Sequence, residues 1–324
     1  MVAAVAAPCV IGVDIGGTKV LAGVVDADLG VHHRVQRPSQ GHDTIRLLDT
    51  LAAMVRGAAD AAPGEVLGVG FGVPAVLDRR HGVIAACPHL PLVGVPFETL
   101  MAERVSLPVA VDNDANAAML AEWRHGAARG VDDAVMLTIG TGIGGGIVSA
   151  GRLLRGATGG GAEIGHMVVD LDGPPCQGAC PGRGHYEYYA SGNAIGRAGA
   201  EAATREPASA LARELAAGRV ITGALVTELA HDGDAAARAA VELVGHRLGC
   251  GIVSLVNIFN PEVVVVGGGA IAAGELLLAP ARREVERHAM PSLRDAVRIV
   301  PAAFGSESGL LGAATLAFEE LRGA

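Results

Sequence analysis

The chain has 324 residues, of which 50% are hydrophobic, 18% charged and 3% aromatic, and it contains 47 glycines. This composition excludes a disordered chain and predicts a globular protein with two packed lobes and mainly aliphatic cores. The net charge of -9 and the scarcity of aromatic rings argue against nucleic acid and anionic membranes as partners.

The N-terminal residues 1–7 have no basic group, so they do not resemble a signal peptide. No uninterrupted apolar run reaches membrane-spanning length. Five cysteines, an odd number, include Cys176 and Cys180 close to two histidines, which is typical of a reducing compartment and a metal site. We therefore expect a cytoplasmic protein.

The first predicted element is a hairpin, with strands at residues 10–14 and 20–26 around a glycine turn at 16–19. The same pattern returns at residues 134–139 and 145–149, around a turn at 140–142. The repetition indicates an internal duplication of the chain.

Between and after the two hairpins, strands alternate with helices. We predict a helix at 43–62, strands at 65–73 and 108–112, and a helix at about 115–125 that stops at Gly126. A loop-rich insertion covers 156–184, and helical periodicity with internal turns covers 192–258. A buried strand at 262–266 then ends in three glycines. This alternation predicts an α/β fold.

Three glycine turns, at residues 14–19, 138–146 and 267–269, each follow an apolar strand. Without a Cβ atom, backbone N–H groups there can approach phosphate oxygens closely. Residues 140–145 also match G-x-G-x-x-G, but a dinucleotide fingerprint must open a helix, and residues 146–149 continue as a strand. Hairpin turns without any ligand remain the alternative, and no Walker A pattern is present.

Nearly the whole chain resembles the ROK family, which comprises repressors, open reading frames and sugar kinases. Residues 11–19 and 138–146 resemble its two phosphate loops, 257–269 its adenosine segment and 309–314 its closing helix. The resemblance implies an actin-like (ribonuclease H-like) ATPase fold with a cleft between two lobes, and a homodimer. We expect a small lobe of residues 1–113 plus about 305–324, and a large lobe of 114–304.

The same resemblance implies ATP and Mg²⁺ as cofactors, with Asp14 holding the Mg²⁺ ion or its water. The implied ATP-binding residues come from the three glycine turns. They are Asp14, Gly16, Gly17, Thr18, Lys19, Thr138, Gly140, Thr141, Gly142, Gly267, Gly268 and Gly269.

A polar cluster, Asp112, Asn113, Asp114 and Asn116, falls where a predicted strand ends and a helix begins. At least one of these side chains is expected to cap the helix, because Asp and Asn are favoured N-caps. Phosphoryl transfer also needs a carboxylate that orients the attacking hydroxyl and accepts its proton. The resemblance implies that Asp114 is this catalytic base and that Asn113 binds a sugar hydroxyl.

The resemblance further implies that Glu163, His166 and Glu187 are sugar ligands. Carboxylates accept hydrogen bonds from the hydroxyl groups of a neutral polyol, which fits that role. The alternative is that each glutamate is a solvated loop residue.

His166, Cys176, Cys180 and His185 form a compact set of zinc-type ligands. The family pattern has one His and three Cys, spaced C-x-C-G-x-x-G-C-x-E. Here the first pair is C-x-x-x-C and His185 replaces the last Cys. Four protein ligands predict a structural zinc ion that fixes the sugar-binding loop, and two free thiols are the alternative. We expect His166 to bind zinc with one ring nitrogen and sugar with the other.

The sequence therefore predicts an ATP-dependent hexose kinase that phosphorylates the C6 hydroxyl, with glucose as the leading substrate. N-acetylmannosamine, N-acetylglucosamine, fructose and allose kinases share these ligands. A sugar-sensing transcriptional repressor is disfavoured, because the thirteen residues before Asp14 are too few for a helix-turn-helix module. A sugar-binding protein without catalytic activity is the third class.

Overall fold

The computed structural model describes residues 7–39, 43–177 and 180–323. Two segments discussed above lie outside the described residues. They are residues 1–6, which belong to the segment without signal-peptide features, and Gly178 and Ala179, which lie between the paired cysteines. The strands are β1 (Cys9–Ile15), β2 (Lys19–Asp26), β3 (Val31–Pro38), β4 (Val66–Val73), β5 (Val76–Asp78), β6 (Val83–Ala86), β7 (Val109–Asn113), β8 (Ala134–Ile139), β9 (Ile143–Ser149), β10 (Arg152–Leu153), β11 (Val263–Gly267) and β12 (Arg298–Pro301).

Helices fill most of the remaining described chain. They are α1 (Thr44–Asp60), α2 (Phe97–Val105), α3 (Asp114–Arg124), α4 (Tyr186–Ala190), α5 (Gly192–Arg205), α6 (Ala210–Ala216), α7 (Gly223–His231), α8 (Ala235–Phe259), α9 (Glu275–His288), α10 (Pro291–Arg294) and α11 (Ser308–Gly323). Short 3-10 helices cover Ile164–His166, Gly269–Ala273 and Gly305–Glu307.

The first sheet has the strand order β3-β2-β1-β4-β7. β1 is antiparallel to β2 and parallel to β4, which is parallel to β7. Asp14 on β1 is paired with Gly72 on β4, and Gly72 is paired with Asp112 on β7. The first glycine turn and the predicted polar cluster therefore leave the sheet at the same edge, as carboxyl ends of parallel strands do.

The second sheet has the order β10-β9-β8-β11-β12. As in the first sheet, its central hairpin (β8 and β9) is antiparallel and the next two pairs (β8 with β11, β11 with β12) are parallel. Gly267 at the end of β11 is paired with Thr138 on β8, so the second and third glycine turns start from neighbouring strands. The matching strand order confirms the predicted internal duplication and the α/β class.

The chain divides into two compact units. Unit 1 consists of residues 1–129, 153–162 and 307–324, and unit 2 consists of 130–152 and 163–306. This grouping differs from the sequence-based boundary at 113/114, because α3 packs with the elements of the first sheet.

In unit 1, helix α11 lies directly on β1, β4 and α3, where glycines allow the backbones to approach. A Cβ atom on Gly12 would collide with the carbonyl of Leu310, and one on Gly70 with that of Ala313. The buried Glu122 on α3 accepts a hydrogen bond from the Ser308 hydroxyl at 2.9 Å. Helix α11, the predicted closing helix, is thus fixed by close backbone contacts with β1 and β4 and by a hydrogen bond to α3.

In unit 2, helix α8 packs against α5, α7 and α9. It is long and apolar enough to cross a membrane by length and composition alone, with a mean hydropathy of 1.4 over its most apolar window. More than half of that window is buried inside the protein, which is typical of a core helix.

Candidate active site and metal centre

Asp14 lies at the end of β1, beside the first glycine turn. Gly309 at the start of α11 faces it so closely that a Cβ atom there would come within 2.6 Å of the carboxylate. Burial raises the pKa of Asp14 to about 6, and the charge of Lys19 partly opposes that rise. Asp14 therefore presents a buried carboxylate at the end of β1, beside the first glycine turn.

The polar cluster at the β7–α3 junction has one capping residue, Asn113. Its Oδ1 atom accepts hydrogen bonds from the backbone N–H groups of Ala115 and Asn116, at 2.9 and 3.1 Å. The predicted N-cap in this cluster is therefore confirmed. The same two hydrogen bonds occupy the amide oxygen of Asn113, a residue that was predicted to bind sugar. The Nδ2 atom lies 3.4 Å from the carbonyl oxygen of Ala75.

Asp114 is the first residue of α3 and is half-buried. Its Oδ1 atom lies 2.9 Å from the backbone nitrogen of Ala115, and Gly72 on β4 packs against its Cα atom. The carboxylate of Asp114 therefore lies at the N-terminus of α3, directly after the end of β7.

Asp112 is the buried anchor of this cluster, with an exposure of 2%. Its Oδ2 atom lies 2.7 Å from Nε of Arg155 and 3.2 Å from a guanidinium nitrogen of Arg79. The two arginines were not predicted from the sequence, because they come from distant segments. They fix the strand end that presents Asn113 and Asp114.

His89 was also missed. The Gly17 backbone lies against its ring, so that a Cβ atom on Gly17 would be 3.5 Å from the imidazole. The neighbouring thiol of Cys87 has a raised pKa, chiefly from burial and in small part from the charge of Asp114. His89 therefore lies beside the first glycine turn.

The second glycine turn is a β8–β9 hairpin, in which the Gly140 N–H donates to the Gly142 carbonyl at 2.9 Å. Residues 143–149 continue as β9, which rules out the dinucleotide fingerprint. The third turn contains Gly268 with φ +80°, where a Cβ atom would lie 2.5 Å from the Ile139 nitrogen. Glycine is required there.

Unit 2 holds a cavity of about 490 Å³ beside these turns, within the usual range of small-molecule sites. It is lined by Gly140, Thr141, Gly192, Asn193, Ile195, Gly223, Ala224, Thr227, Glu228, His231, Gly269, Ala270 and Ala272. Three of the residues predicted to bind ATP, Gly140, Thr141 and Gly269, line this one cavity. Residues of α5 and α7 were missed, since helical periodicity alone does not reveal which face lines a cavity.

Backbone packing sets one wall of this cavity. A Cβ atom on Gly192 would lie 2.7 Å from the Gly140 carbonyl oxygen, and one on Gly223 would collide with the Gly192 carbonyl. The Gly192 N–H also donates to the Gly140 carbonyl at 2.8 Å. The start of α5 therefore lies against the second glycine turn, and the start of α7 lies against the start of α5.

The three predicted sugar ligands of unit 2 lie around the cysteine loop. Nε2 of His166 is 3.9 Å from Oε2 of Glu163. Glu187, with an exposure of 9%, accepts a hydrogen bond from the Ile143 N–H at 3.3 Å. Burial raises the pKa of Glu163, with His166 opposing the rise and Glu187 adding to it.

The four predicted metal ligands converge, with all their ligand atoms within 4.8 Å of one another. The Nδ1 atoms of His166 and His185 are 3.0 Å apart. Cys176 Sγ lies 3.8 Å from the first of these nitrogens, and Cys180 Sγ lies 3.7 Å from the second. Tetrahedral zinc, with bonds of about 2.0–2.3 Å, spaces its ligand atoms about 3.3–3.8 Å apart. The two Cys–His distances match that spacing and the distance between the two nitrogens is slightly shorter, so this set of two histidines and two cysteines fits zinc after a small shift of the rings.

The thiol of Cys176 has a pKa raised to about 12, by burial and by the neighbouring carboxylate of Glu187 3.2 Å away. Metal binding would require loss of that proton. With Nδ1 directed to the cluster, Nε2 of His166 faces Glu163. This arrangement is compatible with one ring that serves both a metal and a substrate.

Comparisons with known proteins identify the family. The ROK family profile matches residues 10–320. The glucokinase of Thermotoga maritima is 36% identical over 319 residues, covering 97% of this chain and 98% of that protein. A crystal structure of a ROK family glucokinase from Streptomyces griseus, in complex with glucose and AMPPNP, matches at 36% identity with a TM-score of 0.87, covering 96% of this chain and 99% of the other.

The xylose repressor of Caldicellulosiruptor bescii is 31% identical over 258 residues, which is 76% of this chain and 62% of the repressor. The match to the family profile and the near-complete overlap with its glucokinases agree with the strand order and glycine turns described above. The chain belongs to the ROK family and has its actin-like ATPase fold.

Proposed function

We propose that the protein is an ATP-dependent hexose kinase that phosphorylates glucose at the C6 hydroxyl. The observation that carries the proposal is the cavity of unit 2, in which two glycine turns distant in sequence line one nucleotide-sized space. The 36% identity to glucokinases over nearly the full chain supports glucose as the acceptor.

In the proposed mechanism, Asp114 accepts the proton of the C6 hydroxyl as that oxygen attacks the γ-phosphorus of ATP. The bond between the γ-phosphorus and the β–γ bridging oxygen breaks, and ADP leaves with that oxygen. Backbone N–H groups of the glycine turns donate to phosphate oxygens and stabilise the charge of the transition state. Asn113, Glu163, His166 and Glu187 orient the sugar through its other hydroxyls. Mg²⁺ bound with ATP supplies charge neutralisation on the phosphates, and Asp14 is the residue proposed to hold it or its water.

The structural zinc is assigned to His166, Cys176, Cys180 and His185, and the convergence of their ligand atoms supports this assignment.

We also propose a cytoplasmic homodimer. Val168, Val169 and Leu171 are exposed on unit 2, and a second copy would cover such an apolar surface. Light scattering of the purified protein tests the oligomeric state.

The experiment that tests the function is a coupled assay of ADP release with ATP and a panel of hexoses. We expect the highest kcat/KM with glucose over N-acetylmannosamine, N-acetylglucosamine, fructose and allose, and little ATP hydrolysis without sugar. Highest kcat/KM with one of the other sugars would reassign the substrate. No turnover with any hexose, together with sequence-specific DNA binding in a gel shift, would favour the regulator instead.

A further inference from the structure

Gln177 follows the metal ligand Cys176 and lies within the stretch that is longer than in the family pattern. Its Oε1 atom accepts a hydrogen bond from Nδ2 of Asn193 at 2.6 Å. Its Nε2 atom lies 3.5 Å from the carbonyl oxygen of Thr141 and from the hydroxyl of Ser191. One side chain of the cysteine loop thus reaches two other segments of unit 2.

These partners belong to the nucleotide cavity. Thr141 of the second glycine turn and Asn193 at the start of α5 both line it. Asn193 is exposed, so its amide would sample several rotamers without a fixed partner, at a cost in entropy when ATP binds. The bond to Gln177 restricts that amide before the ligand arrives.

A second connection runs in the same direction. The Cys176 thiol lies 3.2 Å from Oε1 of Glu187, and Oε2 of Glu187 accepts from the Ile143 N–H just after the second glycine turn. Gly142 packs so tightly on this carboxylate that a Cβ atom there would collide with it. The cysteine loop therefore contacts the second glycine turn through Gln177, while Glu187 lies between that turn and Cys176 Sγ.

We propose that Gln177 is a positioning residue that couples the metal-bound order of the cysteine loop to the affinity for ATP. When the metal orders the cysteine loop, Gln177 stays in contact with Asn193 and Thr141. When the metal is removed, the loop loses that order and Gln177 loses these contacts. Because coupling between two ligands is reciprocal, the nucleotide also strengthens retention of the metal. The inference rests on the proposed function only in naming ATP as the nucleotide.

The test is equilibrium binding of AMPPNP by calorimetry to zinc-loaded and chelator-treated protein. In the unaltered protein, metal removal is expected to raise the Kd for AMPPNP about five- to tenfold, the worth of roughly one hydrogen bond. In Gln177→Leu, which keeps the side-chain volume and removes both polar atoms, the same treatment should change the Kd less than about twofold. Gln36→Leu, an exposed position on β3 of unit 1, is the matched control and should keep the full metal effect.

Gln177→Leu that keeps the full metal effect, or unaltered protein that shows none, overturns the coupling. If circular dichroism shows that the metal-free protein unfolds, a cycle of Gln177→Leu, Asn193→Ala and the double variant is measured with zinc bound. Non-additive losses of AMPPNP affinity support the proposal, and fully additive losses overturn it. Glucose turnover by the unaltered protein is assayed separately, so loss of the proposed function is distinguishable from loss of the coupling.

Discussion

At the residue scale, the case for catalysis depends on Asp114. Asp114→Ala is expected to lower kcat by about two to four orders of magnitude, the usual worth of a general base, with the KM for ATP little changed. The coupled assay measures this, with circular dichroism to verify folding. Asp28→Ala, in an exposed turn of the same unit, is the control and should keep normal turnover. Near-normal kcat in folded Asp114→Ala would refute the assignment.

Asp14 gives a pH-dependent prediction with a definite sign. The native state holds its proton up to a pKa of about 6, whereas an unfolded aspartate releases it near 3.8. The free energy of unfolding therefore falls as pH rises from about 4 to 6. Asp14→Asn should stabilise the free protein by about 2–3 kcal/mol at pH 7.5 and by only about 0.5 kcal/mol at pH 4.

Urea unfolding at the two pH values measures this difference. Asp60→Asn, at the exposed end of α1, is the control and should change stability little at either pH. An equal effect of Asp14→Asn at both pH values would show that burial does not raise the pKa of this carboxyl.

At the element scale, the packing of α11 predicts opposite effects for two glycine substitutions. A Cβ atom on Gly312 would collide with the Ala117 carbonyl of α3, whereas one on Gly57 in α1 has nothing within 4 Å. We expect Gly312→Ala to lower the free energy of unfolding by about 1–3 kcal/mol and Gly57→Ala to raise it by about 0.5–1 kcal/mol. Thermal unfolding of both variants measures these changes in the free energy of unfolding. Equal changes for the two variants would contradict the close packing of α11 on α3.

The cysteine loop predicts one zinc ion per chain. Elemental analysis of the folded protein should give about one equivalent, and Cys180→Ser should lose most of it. Cys250→Ser is the matched control, since Cys250 is an exposed free thiol on α8 outside the cluster. Less than about half an equivalent in the unaltered protein would favour two free thiols instead.

At the scale of the whole molecule, local pattern predicted the elements well. The alternation of apolar strands with glycine turns placed β1, β2, β4, β8 and β11 within one or two residues, because each is a buried apolar run with a sharp end. The exposed edge strand β3, whose exposed His32 and Arg34 alternate with half-buried His33 and Val35, gives a weaker pattern and was not predicted.

The sites were predictable where ligands are close in sequence and not where the fold assembles them. The metal ligands fall within twenty residues, so spacing sufficed. The pairing of Asp112 with Arg155, and the contribution of Thr227 and Glu228 to the cavity, depend on long-range packing. Such contacts have no local signature in a single sequence.

The backbone-built wall at Gly192 and Gly223 also has a practical consequence for protein engineering. Any larger residue at either position would displace main chain, so these two sites are closed to redesign. Ala224, Ala270 and Ala272 line the same space with small side chains. Enlarging them offers a graded way to narrow this cavity and so to weaken the ATP binding that we propose for it.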